Sequence, residues 1–332
     1  MFEKRKKLIT PDELKKRLSL SENLKNLREE KIRKTKDILA NFDKRKVVIV
    51  GPCSADDEKS VFEYVVKLSK LSEKVNEKLL IMSRIHTAKP RSRNFYKGIL
   101  HDNDDLSIGL ERQRALHIKA FGESGIPTSD ELLYIDNLEY LDDIVSYFTV
   151  GARTSESPIH RFAASGIDIP VGLKNPINGS MDSLINSLCV AQSSQDFMHL
   201  GYHVKTSGNE FAHAILRGGV TSDGKNFSNF DFLNIQTLLE KHTAENLNTP
   251  AVIIDVGHSN SCKNPLNQLV VTEKILKVMK ESSALGDFVK GFMIESYLNE
   301  GKCDRTYGTS RTDACLSFKN TEKLILNIAD RF

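Results

Sequence analysis

Side chains that could do chemistry follow eight short apolar runs of the sequence. The first run, KVVIVG, stops at a glycine-proline pair, and Cys53 comes directly after it. The residues at or just beyond the ends of the eight runs are Cys53, Arg84, Glu131, Arg153, Lys174, Arg217, His258 and Glu295. Apolar runs usually end in turn-forming residues such as Gly, Asn, Asp or Ser. Titratable or metal-binding side chains at all eight ends therefore favour a shared functional role.

Some of these side chains could bind a divalent metal ion. Cys53, His258 and Glu295 offer sulfur, nitrogen and oxygen, and Asp313 in the segment TDAC is a natural fourth ligand. A mixed set of this kind suits Mn²⁺, Fe²⁺, Co²⁺ or Zn²⁺, whereas Mg²⁺ and Ca²⁺ avoid thiolate. The alternative for Cys53 is a small buried apolar side chain, but its place beyond a glycine-proline break favours the role of a ligand.

Most of the remaining side chains at the ends of the runs are cationic, and two more cations follow the second run in the segment KPR. Together these cations are Arg84, Lys89, Arg91, Arg153, Lys174 and Arg217. Like charges crowded together repel unless an anion neutralises them, and arginine matches the geometry of phosphate and carboxylate. We therefore predict a small substrate with several negative charges, and we expect one or two of the cations to pair with Glu131, Glu156 or Asp255. A metal ion beside a bound enol phosphate, such as phosphoenolpyruvate, would suit its condensation with an aldehyde.

The elements that must position these side chains alternate along the chain. The apolar runs occupy 47–51, 79–85, 125–131, 147–153, 169–175, 213–219, 251–258 and 291–297, with amphipathic segments between them. This alternation predicts a parallel α/β sheet, and eight strands favour a closed (β/α)8 TIM barrel, in which active sites form where the strands end. An open doubly wound sheet is the rival, but the first turn, GPCSAD, lacks the expected GxGxxG pattern.

Residues outside the eight runs predict two additions to the barrel. Residues 1–45 have a charged, helical pattern and predict an N-terminal arm that packs on the body or on another subunit, with the catalytic barrel over 46–332. An extra hairpin is predicted at about 197–209. The net charge of +3 argues against nucleic acid as a partner, and the sequence has no apolar run long enough to span a membrane. Five dispersed cysteines predict a reducing, cytoplasmic setting.

Ordered motifs in the chain resemble those of class I 3-deoxy-D-arabino-heptulosonate 7-phosphate (DAHP) synthases of the enterobacterial and yeast type. The motifs are GPCS at 51–54, KPR at 89–91, GARTSES at 151–157, VGLKN at 171–175, TSGN with ILRGG at 206–219, IDVGHSNS at 254–261, ESYLNEG at 295–301 and TDAC at 312–315. The resemblance runs from about Ile9 to the C-terminus. It implies a TIM barrel that forms a homodimer or homotetramer. The implied reaction joins phosphoenolpyruvate to erythrose 4-phosphate with a divalent metal ion, the first step of the shikimate pathway.

The resemblance also implies a role for each matching residue. The implied metal ligands are Cys53, His258, Glu295 and Asp313. Phosphoenolpyruvate would be held by Arg84, Lys89, Arg153, Lys174 and Arg217, with Glu131 nearby. Arg91 and Ser92 would contact the phosphate of the aldehyde substrate. Lys89 is also the implied proton carrier, since burial beside other cations makes a lysine easier to deprotonate.

The part of the sequence expected to bind the aldehyde departs from the family pattern. The segment after KPR, the hairpin, and the stretch between ESYL and TDAC are all shortened, and Arg311, Tyr297 and Gly257 stand where the family has Ile, His and Ser. These departures leave two alternatives open. One is a relative that joins phosphoenolpyruvate to a different aldehyde in specialised metabolism. The other is a non-catalytic regulatory relative, which the presence of all four candidate metal ligands disfavours.

Overall fold

The computed structural model describes residues 1–90, 95–304 and 306–332. Two residues predicted to contact the aldehyde phosphate, Arg91 and Ser92, lie outside the described residues. The described strands are β1 (Lys46–Gly51), β2 (Leu79–Arg84), β3 (Thr128–Glu131), β4 (Tyr147–Val150), β5 (Val171–Lys174), β6 (Asp196–His199), β7 (Tyr202–Lys205), β8 (Ala212–Leu216), β9 (Gly219–Val220), β10 (Asn226–Phe227), β11 (Val252–Asp255), β12 (Val289–Tyr297) and β13 (Leu316–Ser317).

Eight parallel strands close into a barrel. They are hydrogen-bonded in the order β1, β2, β3, β4, β5, β8, β11 and β12, and β12 pairs again with β1. Each of the eight apolar runs overlaps one of these strands, so the predicted (β/α)8 barrel is confirmed. The insertion between β5 and β8 contains an antiparallel hairpin of β6 and β7, which agrees with the predicted hairpin.

Helices cover the outside of the barrel. The described α-helices are α1 (Pro11–Arg17), α2 (Glu22–Leu39), α3 (Glu58–Val75), α4 (Leu106–Ser124), α5 (Pro158–Ser165), α6 (Met181–Gln192), α7 (Phe232–Ala244), α8 (Asn267–Glu281), α9 (Ser283–Phe288) and α10 (Phe318–Ala329). Between β3 and β4 the crossover has a 3₁₀-helix, Ile135–Tyr140, in place of an α-helix. None of the described helices is long and apolar enough to cross a membrane.

Alternation along the strands divides the apolar residues into two layers. Side chains that point into the barrel form an inner cluster of Ile38, Val47, Ile49, Leu80, Met82, Tyr147, Ile215, Ile253 and Met293. Their neighbours in sequence, such as Val48 and Phe292, point outward and pack against the helices. The inner cluster fills the barrel below the strand ends and so provides a rigid floor for side chains placed there.

The N-terminal arm packs on the barrel through both of its helices. α1 begins with a capping box in which Thr10 and Glu13 bond each other's backbone N–H groups. In α2, the Nε of Arg28 donates to the carbonyl of Val145 at 3.0 Å. Ile38, near the end of α2, is fully buried and belongs to the inner cluster. The arm therefore contributes to the core at the face where the strands begin.

Candidate active site

Charged side chains at the strand ends continue the inward-facing rows of the barrel. Because strand side chains alternate, the second residue after an inner-cluster position also faces inward. This step of two leads from Met82 to Arg84, from Ile215 to Arg217, from Ile253 to Asp255 and from Met293 to Glu295. The same alternation that builds the apolar floor therefore places these charges in one layer above it.

Most of the predicted site residues line one narrow cavity at this face, with a volume of about 120 Å³. Among its lining residues are Cys53, Arg84, Lys89, Glu131, Arg153, Lys174, Arg217, His258 and Asp313. Glu295 adjoins the cavity through contacts with two of these residues, Arg84 and His258. Residues from all eight strand ends thus meet at one face of the barrel, the barrel mouth.

The four candidate metal ligands lie at the mouth as two pairs. The Sγ of Cys53 is 3.7 Å from Oδ2 of Asp313, and Nε2 of His258 is 3.7 Å from Oε1 of Glu295. No group of three or more His, Cys, Asp or Glu side chains within the described parts of the chain is close enough to hold a metal ion. The two pairs would have to draw together around an ion.

The surroundings of His258 fit a metal ligand. Its Nδ1 lies 2.8 Å from Oδ2 of the buried Asp255. A metal-binding histidine typically turns its other ring nitrogen towards a carboxylate in this way. Burial opposes the negative charge on Asp255, but His258 and Lys174 hold the pKa of this carboxyl well below its usual range. The negative charge of Asp255 beside Nδ1 therefore favours the ring orientation in which Nε2 faces Glu295.

Cys53 is also buried, and only 1% of its surface is exposed. Its backbone N–H donates to Sγ of Cys315 at 3.3 Å. Burial, and then the charge of Glu295, raise the pKa of the Cys53 thiol to about 11. The thiol is therefore protonated at neutral pH unless a cation stabilises the thiolate, which is how metal binding to cysteine is coupled to proton release.

Three of the mouth cations are paired with carboxylates. Arg84 Nη2 lies 3.1 Å from Oε1 of Glu295, and Arg84 also donates to the carbonyl of Pro52. Lys174 Nζ is 2.7 Å from Oδ2 of Asp255, and Lys89 Nζ is 3.8 Å from Oε2 of Glu131. The expectation that one or two cations pair with Glu131, Glu156 or Asp255 is met by the pairs of Lys89 and Lys174.

Two mouth arginines have no such partner. Neither Arg153 nor Arg217 forms an ion pair with any residue that the structure describes. The guanidinium of Arg217 is buried, its Nε has no hydrogen-bond partner among those residues, and burial lowers its pKa. An unpaired buried cation is costly, so a bound anion would neutralise Arg217. Arg153 is exposed but lines the same cavity, where it is available to the same anion.

His86 lies next to the barrel mouth, in contact with Glu131, and the sequence analysis did not select it. It is fully buried, and its Nδ1 lies 3.4 Å from Oε2 of Glu131. Burial, and then the charges of Arg84 and Lys89, hold the pKa of His86 well below its usual range, so the ring is neutral. The signal that could have identified it is the inward-facing row itself, which continues from Arg84 to His86 beyond the end of β2.

Gly151, the first residue of the GARTSES motif, makes room for Glu131. A Cβ atom at position 151 would lie 2.2 Å from Oε1 of Glu131. Any other residue would therefore displace the carboxylate that faces Lys89 and His86. This close approach explains why the strand before Arg153 ends in glycine.

A second cavity, of about 550 Å³, adjoins the mouth and shares Pro90, Arg153 and Asp313 with it. The guanidinium of Arg311 lines this second cavity and lies 4.0 Å from the ring centre of Tyr96. Its Nε is 3.1 Å from Oδ1 of Asp304. A larger cavity of about 800 Å³ lies elsewhere, among α2, α5 and the β6–β7 hairpin, and none of the predicted site residues line it.

The closed parallel barrel with buried cations and mixed metal-binding donors at its strand ends defines a TIM-barrel enzyme that acts on small anions. The sequence profile described as the DAHP synthetase I family matches residues 27–326, and the chain belongs to this family.

Similar proteins cover nearly the whole chain. The phospho-2-dehydro-3-deoxyheptonate aldolase of Haemophilus influenzae is 33% identical over 345 residues, which cover 99% of this chain and 92% of that protein. The phenylalanine-inhibited enzyme of Saccharomyces cerevisiae is 34% identical over 89% of this chain and 83% of that protein. A solved structure of the Francisella tularensis enzyme superposes with a TM-score of 0.92 at 30% identity, covering 100% of this chain and 98% of that chain.

These comparisons confirm the family and the fold predicted from the sequence. Members of the family condense phosphoenolpyruvate with erythrose 4-phosphate to give DAHP, and they are generally metal-dependent. The predicted function and enzyme class, 3-deoxy-7-phosphoheptulonate synthase, are those of the family.

Proposed function

We propose that the barrel mouth of this chain carries out the condensation of phosphoenolpyruvate with erythrose 4-phosphate and releases DAHP and inorganic phosphate. The observation that supports this assignment is the meeting of two kinds of group around one cavity. Arg153 and Arg217, which form no ion pair with a described residue, lie there with the donor pairs Cys53–Asp313 and His258–Glu295. An anion site beside a set of metal-binding donors is what this reaction requires.

Phosphoenolpyruvate is the anion that these arginines would bind. Arg153 and Arg217 would form charge-assisted hydrogen bonds to its phosphate or carboxylate oxygens. Arg84 and Lys174 are held in place by Glu295 and Asp255, so they present fixed positive charge to the same anion. Binding would therefore need little rearrangement of the side chains, which favours affinity.

Cys53, His258, Glu295 and Asp313 would hold a divalent ion of the Mn²⁺, Fe²⁺, Co²⁺ or Zn²⁺ type. When bound, such an ion supplies Lewis-acid polarisation of a carbonyl. The remaining work falls to the chain itself. As the CH₂ carbon of phosphoenolpyruvate bonds to the aldehyde carbon, the aldehyde oxygen takes up a proton, for which Lys89 is the proposed donor. Water then adds at the neighbouring carbon, which bears the phosphate, and gives up a proton. The C–O bond to phosphate breaks, which releases inorganic phosphate and leaves a ketone at that carbon.

Glu131 is proposed to position Lys89 for this proton transfer. Its carboxylate lies between Lys89 at 3.8 Å and the neutral His86 at 3.4 Å. Gly151 allows this placement, as described above. Glu131 can also accept a proton from the water that adds to the phosphate-bearing carbon, because it faces the same cavity.

The phosphate of the aldehyde is proposed to contact Arg91 and Ser92, as the family resemblance implies. Pro90, the described residue before them, lines the cavity of about 550 Å³. One observation favours a second candidate function, the use of a different aldehyde. Arg311 lines this cavity and stacks on Tyr96, where the family pattern has an isoleucine. A cation at this position changes the charge that the acceptor meets.

An assay of the purified chain with phosphoenolpyruvate and a set of phosphorylated and unphosphorylated aldehydes tests these proposals. We expect phosphate release with erythrose 4-phosphate, its loss after treatment with EDTA, and its return when Mn²⁺ is added. Turnover of another sugar without turnover of erythrose 4-phosphate would replace the first function by the second. Unchanged rates after complete metal removal, or full metal-dependent activity in Cys53→Ala, would refute the metal assignment.

We further propose a cytoplasmic homodimer or homotetramer, in keeping with five cysteines dispersed along the sequence and with the family resemblance. Light scattering on the purified chain measures its mass in solution. A monomer at working concentration would contradict this part of the proposal.

A further inference from the structure

A cavity of about 570 Å³ lies at the opposite face of the barrel from the mouth. It is lined by Lys46, the first residue of β1, by Lys290 near the start of β12, and by residues of α8 and of the chain's last segment. Parallel strands all begin at one face and end at the other. This cavity, called the lower cavity below, is therefore separated from the mouth by the inner apolar cluster.

Lys290 is an unusual residue for a barrel strand. Only 1% of its surface is exposed, and its Nζ has no hydrogen-bond partner among the residues that the structure describes. A buried ammonium group without a partner is costly, and a methionine of similar size would carry no such cost. The lysine at this position therefore indicates that a negatively charged group binds beside it.

A second lysine lies beside it. Val47 of β1 is opposite Gly291 of β12, so the preceding residues, Lys46 and Lys290, are neighbours across the two strands. The Nζ of Lys46 donates to the carbonyls of Gly286 at 2.7 Å and Val289 at 2.8 Å. Burial, and then the charge of Lys46, lower the pKa of Lys290 to about 7. A negative charge beside both lysines would relieve this repulsion.

The charges that line the lower cavity do not balance. Three of the lining cations are already paired with carboxylates, in the pairs Lys44–Asp287, Arg45–Asp43 and Arg331–Glu273. Lys277 and Lys280 have no ion pair with the described residues, and Asp330 is the lining carboxylate side chain outside the three pairs. Phe332 also lines the cavity, and its main-chain oxygen accepts from Nζ of Lys78 at 2.9 Å. The lining thus keeps an excess of positive charge around Lys290.

We propose that the lower cavity binds a small organic anion whose single carboxylate or phosphate group contacts Lys290 and whose apolar part packs on Leu276 and Met279. The volume is within the range of small-molecule sites, which combine an apolar lining with a few polar groups. Lysine is a compact point charge that suits either head group. The site is independent of the condensation at the mouth, because none of the proposed mouth residues line it.

The experiment uses the full chain labelled with ¹³C at the lysine Cε atoms, with butyrate and inorganic phosphate as separate probes. The Lys290 signal is assigned by its absence in Lys290→Met. We expect this signal to shift as either probe is added at near-neutral pH, because a bound anion favours the ammonium form. If the chemical shift of Lys290 did not change with either probe, the proposal would be wrong. Binding is measured on the wild-type protein, and the variant serves only to assign the signal.

Calorimetry in two buffers with different ionisation heats gives a second readout. The wild-type chain should take up protons when the anion binds at the lower cavity. Lys290→Met should lose this uptake and bind butyrate roughly tenfold to a hundredfold more weakly, since hydrogen bonds to charged groups contribute that much. Lys70→Met, on the exposed face of α3, is the matched control and should behave as wild type.

Phosphate can also bind at the mouth, so its two sites must be separated. Binding that persists unchanged in Lys290→Met would belong to the mouth and would contradict the proposed site. Lys290→Met should retain the condensation activity, because the residue lies outside the proposed catalytic machinery. That activity shows that the variant is folded.

Discussion

Replacing Asp255 by asparagine tests how the barrel mouth positions His258. Asp255 is fully buried, and its Oδ2 contacts Lys174 Nζ at 2.7 Å and His258 Nδ1 at 2.8 Å. Asparagine has nearly the same shape but carries no charge. The substitution Asp255→Asn therefore removes the electrostatic part of both contacts while leaving the packing in place.

Two losses of different kinds are expected from this change. The Lys174 ammonium remains buried without its counter-ion, and breaking a buried pair from one side costs about 3–5 kcal/mol in the free energy of unfolding. The ring of His258 also loses the carboxylate that orients it. Loss of such an outer contact typically weakens metal binding by roughly 10- to 100-fold, or about 1.4–2.7 kcal/mol.

The pH dependence of the stability loss follows from the pKa of Asp255. Because folding lowers this pKa, the carboxylate contributes fully to stability above its unfolded value of about 4 and loses that contribution only as the pH falls through its lower folded value. The difference between wild type and Asp255→Asn should therefore be constant from weakly acid to neutral pH. It should shrink only in more strongly acid solution.

Urea denaturation of the metal-free proteins and calorimetric titration with Mn²⁺ measure the two effects separately. The control is Asp143→Asn, in another part of the fold. Oδ1 of Asp143 lies 2.6 Å from Nη1 of the buried Arg114, so this substitution also removes the charged partner of a buried cation. It should lose stability and keep its Mn²⁺ affinity. If Asp255→Asn lost stability but bound Mn²⁺ as tightly as wild type, the proposed orientation of His258 would be wrong.

Three further substitutions test other parts of the structure. In Gly291→Ala the new Cβ would lie 1.9 Å from the carbonyl of Val47, so closure of the barrel between β1 and β12 should fail and the melting temperature should drop. The control is Gly122→Ala, whose Cβ contacts one leucine methyl and should raise stability by about 0.5–1 kcal/mol. Equal melting temperatures for Gly291→Ala and wild type would contradict the close approach. Lys290→Met should raise the free energy of unfolding in urea by a few kcal/mol at neutral pH and by much less near pH 10. The reason is that Lys290 has a pKa of about 7 in the folded chain and about 10.4 in the unfolded chain, so between these pH values folding costs the wild type a proton. A stability gain that does not change with pH would show that Lys290 is charged in the folded protein. Arg217→Met should raise KM for phosphoenolpyruvate roughly tenfold or more, since it removes charge-assisted hydrogen bonds; an unchanged KM in steady-state assays would exclude this residue from the anion site.

The barrel strands were predictable because each parallel strand is buried on both faces. Such strands are continuous apolar runs, which are easy to find in a sequence. Their starting points were less accessible. The run predicted at 125–131 becomes a strand only from Thr128, because Gly125 adopts a left-handed conformation that ends α4 and its N–H bonds the carbonyl of Phe121. A helix end and a strand start share this short segment.

The pairings inside the mouth could not be derived from the sequence. Lys174 and Asp255 lie on β5 and β11, and their contact depends on the register of each strand with β8 between them. The sequence places both residues at strand ends, but it does not fix how far each strand is shifted along its neighbour. A shift of one residue would turn Asp255 away from the barrel interior. Which cations remain unpaired is therefore information that only the assembled barrel supplies.

The distribution of charge at the mouth gives its cations two separate functions. Arg84, Lys89 and Lys174 each face a carboxylate of the chain, so these pairs can persist when no substrate is bound. Arg153 and Arg217 have no carboxylate partner among the described residues, and a bound anion would provide one. Without any carboxylates at the mouth, its cations would repel one another. With a carboxylate for every cation, little positive charge would remain to attract an anionic substrate. The incomplete pairing keeps the barrel stable while reserving positive charge for a small anion with several negative charges.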